Sequence, residues 1–181
     1  INIQGVPDYV VREHTEWDAA KQYIKGWDET EQGYFQDAVW YGGSLWYCVV
    51  KEARVGVPPG LTNTDWVCVR SSALILDIES SEGDFFRAGT DWETTLVAMV
   101  MHGDIVISDD DITSVVWTRE SSDTEGDKAW NINQAKKQQT MQLKVKWSVD
   151  VVQPWTYNSK VGFRCTVTVA DRSITNIYDI Q

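Results

Sequence analysis

Indole and phenol rings are the side chains of this sequence best suited to hold a ligand. The apolar face of a pyranose packs on an aromatic face while its hydroxyls keep their hydrogen bonds, and Trp40, Trp46, Tyr34 and Trp66 are the residues that could offer such faces to a glycan. Asp37, beside them, would add a polar contact. Each has a plainer reading. Trp40 and Trp46 can pack against Trp17, Trp27 or Trp66, Trp66 reads more readily as core, and Tyr34 with Asp37 reads as a pair that stabilises a turn. Ten tryptophans in 181 residues suit small domains that close small cores with large side chains; those left over are candidate stacking platforms.

Other chemistry is thinly supplied. Asp109-Asp110-Asp111, with Asp104 nearby, is the one dense carboxylate group. Calcium takes six to eight oxygen ligands, but the group lacks the alternation and glycine of an EF-hand loop and reads as a solvated turn, so no metal is expected. Trp130-Asn131 could form a ledge, although Arg119 pairing with Asp127 to pin a long loop is the simpler account, and an exposed pair contributes little. His14 and His102 are far apart and read as surface or turn residues. The sequence has no Gly-x-Ser-x-Gly elbow, no His-Glu-x-x-His helix and no phosphate-cradling glycine loop. No catalytic residue and no cofactor is expected, and the chain reads as non-enzymatic; paired carboxylates stay open, because their spacing is spatial.

The element that must position the rings is the stretch from Tyr34 to Trp66, in which two apolar runs flank Gly42-Gly43, a signal for a tight β-hairpin. With a two-residue loop, Val39, Tyr41, Trp46 and Cys48 share one side of the sheet. With a three-residue loop that takes in Ser44, Val39, Tyr41, Leu45, Tyr47 and Val49 form one apolar face. The second register is preferred here for its continuous β-branched and aromatic face. It leaves Trp40 and Trp46 together on the other side.

An apolar content of 43% and a charged content of 24% are those of a folded protein with one large domain or two small ones. The net charge of -11 is spread along the chain and argues against nucleic acid or an anionic membrane surface as partner. No apolar run approaches the length that spans a bilayer. Ile1-Asn2-Ile3 has neither a basic n-region nor an initiating Met, so the chain is expected to be cut from something longer. Cys48, Cys68 and Cys165 are odd in number and unrelated in spacing, and free thiols are expected; Cys48 and Cys68 could meet on adjacent strands.

Along the chain, residues 1–8, with Gly5, Pro7 and Asp8, read as a lead-in, residues 9–70 as a small β domain, and residues 71–181 as a second one. The acidic and polar run D-E-T-E-Q-G after Gly26-Trp27 reads as a loop, and Trp17 to Ile24 could form one or two helical turns. Arg70-Ser71-Ser72 makes a polar joint before the apolar run from Ala73. Beyond it the chain alternates on a period of two, most clearly in Met141 to Trp147 and in Phe163, Cys165, Val167 and Val169, which points to an all-β sandwich. Thr94 to Met101 and Ile112 to Thr118 read as more deeply buried strands.

Two resemblances follow. The order Trp17, Tyr23, Tyr34, Asp37, Val39, Tyr41, Gly43, Tyr47-Cys48, Pro58-Pro59, Trp66 resembles the short β modules related to carbohydrate-binding modules of families five and twelve, especially copies in bacteriophage tail and fibre proteins. Val50, Lys51 and Glu52 stand where chitinase-type relatives carry an aromatic doublet. The motifs T-T-L-V-A-M-V-M-H-G-D, W-T-R-E-S-S-D, D-K-A-W-N and F-R-C-T-V, over residues 73–170, resemble an immunoglobulin-like domain of phage minor structural and tail-fibre proteins, here without its disulfide. The resemblances imply a virion protein, a tail- or head-fibre segment assembled in the bacterial cytoplasm. Its first module would contact host-surface carbohydrate and its second would space or anchor it. They also imply other virion proteins as partners and a homo-oligomer, trimeric as such fibres usually are. Two readings stay beside this one: a purely architectural virion protein whose aromatics are all core, and a secreted bacterial carbohydrate-binding accessory module.

Overall fold

A computed structural model describes residues 8–83, 91–156 and 158–181. The chain is all-β, with few helical turns. It divides into two compact units, one ending at Ala73 and taking in Gly103–Ile105, the other made of Leu74–His102 and Val106–Gln181.

The first unit is built from β1 (Tyr9–Glu16), β2 (Gln22–Tyr23), β3 (Lys25–Asp28), β4 (Gly33–Tyr41), β5 (Ser44–Cys48), β6 (Arg54–Val55) and β7 (Trp66–Arg70). Its five-stranded sheet runs β1-β4-β5-β7, with β3 also paired to β4. β1 is parallel to β4, and β3, β5 and β7 are antiparallel to their neighbours. The hairpin register differs from the expected one. Val39 pairs with Trp46 and Tyr41 with Ser44, so the loop is Gly42-Gly43 alone. Both glycines have positive φ, 58° and 68°, which is the type I′ turn that matches the twist of the flanking strands. Ser44 is a strand residue, fully buried, and its hydroxyl accepts from the Ser72 N–H at 2.9 Å. Turn chemistry outweighs the smoother apolar face.

That register sends Val39, Trp46 and Cys48 into the core with Tyr23 and Trp66, and Trp17, Tyr41, Val50, Leu61 and Cys68 pack around them. Trp17 to Ile24, which could have formed helical turns, instead holds a turn and the short strand β2. Asp18 Oδ1 accepts from the Ala20 N–H at 2.9 Å and its carbonyl from the Lys21 N–H at 3.1 Å, a local turn that competes with helix.

In the second unit, β8 (Leu74–Ser80), β9 (Glu93–His102), β10 (Ile105–Val106) and β12 (Gln142–Lys146) form one sheet around β9, and β11 (Ile112–Ser121), β13 (Val161–Val169) and β14 (Arg172–Ile180) form another around β13. The alternation read from Met141 to Trp147 and from Phe163 to Val169 is the observed burial. β9 and β11, read as the more deeply buried strands, each bury one face: Val97 and Val116 are exposed, because each sheet has a single core side. His102, read as a surface or turn residue, is the last residue of β9 and continues the buried row of Thr94, Leu96, Ala98 and Val100.

The acidic segment expected as a loop after Arg119 is a helix, α1 (Thr124–Ala135), and a single turn, α2 (Trp147–Asp150), follows β12. Asp123 caps α1 by accepting from the Gly126 N–H at 3.0 Å, and Glu125 and Asp127 sit in its first turn, where the helix dipole favours negative charge. The expected Arg119–Asp127 pair does form, at 2.6 Å, but both partners are buried. Arg119 also donates to the Asp150 carbonyl at 2.9 Å, and its backbone N–H donates to Asn131 Oδ1 at 2.7 Å. Trp130, offered as a ledge, instead packs on Phe163 and donates to Asp150 Oδ1 at 2.7 Å.

None of the three cysteines is in a disulfide. Each faces an indole across a strand pair: Cys48 faces Trp66, Cys68 faces Trp46, and Cys165 faces Trp117. Cys48 and Cys68 are therefore diagonal, about 7–8 Å apart, beyond the Cα spacing of an ordinary disulfide.

Candidate functional site

Alternation along β4 sorts the candidate residues. Val39 is in the core, so the odd positions of β4 face inward, and Tyr34, Gln36 and Trp40 share the other face. Tyr34 is exposed, and Trp40 is half-buried. Trp46 and Trp66 are core, 2% and 6% exposed. The structure thus brings Tyr34 and Trp40 to one sheet face, with the fully buried Ala38 between them, and takes Trp46 and Trp66 away from it; Trp40 and Trp46 are not neighbours on a platform.

Pairing across three strands adds two rings. Tyr9 of β1 and Trp27 of β3 both stand opposite Tyr34. The Trp27 and Tyr34 rings meet edge to face at 5.0 Å, Tyr9 and Tyr34 lie 5.5 Å apart, and Lys25 Nζ sits 4.1 Å over the Tyr9 ring. Trp27 is 44% exposed and Tyr34 41%. Six residues further along β4, about 20 Å, Trp40 Nε1 donates to Glu13 Oε1 at 2.8 Å. A cleft of about 350 Å³ opens there, lined by Glu13, His14, Thr15, Glu16 and Trp40. It lies where the β1–β4 register slips between Glu13 and Glu16. Rings at both ends and carboxylates at one make a strip that can stack sugar faces and accept from their hydroxyls.

Asp37 is not part of this strip. It is 2% exposed on the opposite face, where Oδ1 accepts from Arg12 Nε at 2.9 Å and meets His14 Nε2 at 3.1 Å, and Oδ2 accepts from the Ile24 N–H at 2.8 Å. Arg12 stacks on Phe35 with its guanidinium carbon 3.3 Å from the ring centre. These contacts clamp β1 to β4. No family model, curated protein or solved structure matches the chain.

The second unit has a polar cleft of about 400 Å³ between Glu120 and Asp179, which flank Gly162 across three strands. Each carboxylate carries its own cation, Arg164 on Glu120 at 2.7 Å and Lys160 on Asp179 at 2.7 Å. Asp109–Asp111 form a 3₁₀ turn capped by Ser108, and among the described residues no group of three or more His, Cys, Asp or Glu could hold a metal ion.

Sequence reasoning missed Tyr9, Trp27 and Glu13. Once the loop is two residues long, parity alone separates Trp40 from Trp46; no local signal places β1 beside β4.

Proposed function

We propose that the chain is a non-catalytic segment of a bacteriophage virion protein, whose first unit contacts a host-surface glycan and whose second unit is an immunoglobulin-like spacer. The observation that carries the glycan reading is one face of the first sheet, where Tyr34 is exposed and Trp40 half-buried on one strand and the exposed Trp27 and half-buried Tyr9 extend the ring row across its neighbours. Stacking of this kind is weak at one site, and repeated copies on a particle raise the effective concentration. The virion setting rests on the sequence resemblances. The immunoglobulin-like reading draws support from the order β8-β9-β12, in a sheet that also carries the two-residue β10, and from a sheet of β11, β13 and β14, the order of an A-B-E and a C-F-G sheet, with Trp117 opposite Cys165.

A glycan array on the intact chain tests the first unit. Trp27→Ala, Tyr34→Ala and Trp40→Ala are expected to lose signal while the circular dichroism spectrum is kept. Unchanged binding in all three would reject this face. The architectural alternative, contact with other virion proteins, draws on Val67 and Val69 of β7, 49% and 46% exposed; Val67→Lys would then block assembly and leave the array unchanged.

A further inference from the structure

The cleft beside Trp40 differs in kind from the rest of the aromatic strip. At the other end, Trp27, Tyr34 and Tyr9 accompany a lysine. Here one indole is accompanied by two carboxylates, Glu13 and Glu16, with His14, whose Nε2 meets Asp37, and Thr15 completing the lining, and no salt bridge joins a cation to Glu13 or Glu16 among the described residues. Trp40 orients Glu13 through its own N–H, at 2.8 Å, and Glu16 is the register partner of Trp40 across the slipped pairing. The ring already draws a cation from its own chain: the Arg70 guanidinium carbon stands 5.8 Å from its centroid.

We infer that this cleft is an ammonium subsite, and that the glycan read by the open face carries a protonated primary amine there. An ammonium ion over an indole face is attracted by the ring quadrupole. Its three N–H donors would find Glu13 and Glu16, and a net charge of -11 favours the approach of a cation. The cleft, about 350 Å³, has room for one sugar ring. An acetamido group at the same position brings neither the charge nor the three donors. The inference rests on the glycan reading and specifies the ligand of that face.

The test compares a hexosamine oligomer with free amines and the same oligomer fully N-acetylated, each titrated into the intact chain at pH 6 and low salt, with the Trp40 indole N–H resonance as readout. The free-amine form is expected to bind about tenfold tighter, about 1.4 kcal/mol. That advantage is expected to vanish in Glu16→Gln and to shrink at high salt. Equal affinities, or an advantage that survives Glu16→Gln, would overturn the ammonium subsite and leave the glycan face standing. If neither oligomer binds but methylammonium shifts the Trp40 resonance, the glycan reading falls and the cation cleft remains. No shift with any of the three sinks both.

Discussion

The hairpin register makes opposite demands on Trp40 and Trp46, and replacing each by alanine measures the difference. Trp46 is 2% exposed, packed among Tyr23, Val39, Cys48 and Trp66, with its N–H donating to the Tyr41 carbonyl at 3.2 Å. Truncating a buried Trp to Ala costs about 3–5 kcal/mol, the transfer term plus the cavity left behind. A unit of this size holds about 4–10 kcal/mol in total, so Trp46→Ala is expected to bring the first unit close to unfolding at 37 °C. Trp40 sits on the open face and loses a half-exposed contact with one hydrogen bond, about 1 kcal/mol. Urea unfolding of the intact chain, followed by far-ultraviolet circular dichroism, is expected to show an early first transition in Trp46→Ala and a near-native one in Trp40→Ala. Equal costs, or the reverse order, would refute the two-residue loop and the sorting of every ring built on it.

Three further outcomes follow from the geometry. Asp127→Ala leaves Arg119 buried without its carboxylate and is expected to cost about 3–5 kcal/mol, visible as a lower urea midpoint; a cost below 1 kcal/mol would mean that water reaches the pair. Burial pushes the Cys165 thiol up to about 12 and raises Cys48 chiefly by desolvation, so at pH 8 Cys68 alone, half-buried, should react promptly with Ellman's reagent. Two fast thiols would contradict the core. Hydrogen bonds from Lys144 and Lys146 hold the Glu93 carboxyl below its ordinary value. A depressed carboxyl contributes stability above its unfolded pKa and loses it as pH falls through the folded one. In an NMR titration Glu93 is expected to protonate later than an ordinary glutamate on acidification, and Lys144→Met with Lys146→Met should return it to the usual range.

What the sequence discloses depends on how local the cause is. Met141 to Trp147 alternates strictly, and burial follows it residue by residue, because one sheet face is core and a period of two is all that requires. The hairpin at Gly42-Gly43 is equally visible, but its register is not, since β4 carries aromatic residues on both faces and either alignment gives an apolar side. Only the positive φ of both glycines decides it. α1 escapes notice because T-E-G-D-K-A-W-N-I-N-Q-A has no clean apolar stripe; it is held through Asp127 and Asn131 by Arg119 of β11 and through Trp130 by Asp150, twenty residues further on. Tyr34 and Trp40 were accessible as candidates from composition. Their companions Tyr9 and Trp27 needed the pairing of β1 and β3 with β4, and Glu13 needed the parallel β1–β4 pairing, which no local pattern encodes.

The direction of the strands has a mechanical consequence. β1 runs parallel to β4, β5 against β4 and β7 against β5, so β1 and β7 point the same way from opposite flanks of the sheet. Tension applied at the start of β1 and the end of β7 therefore slides the strands past one another and strains the ladder bonds side by side. Peeling them one after another would need the pull to enter and leave at the same end.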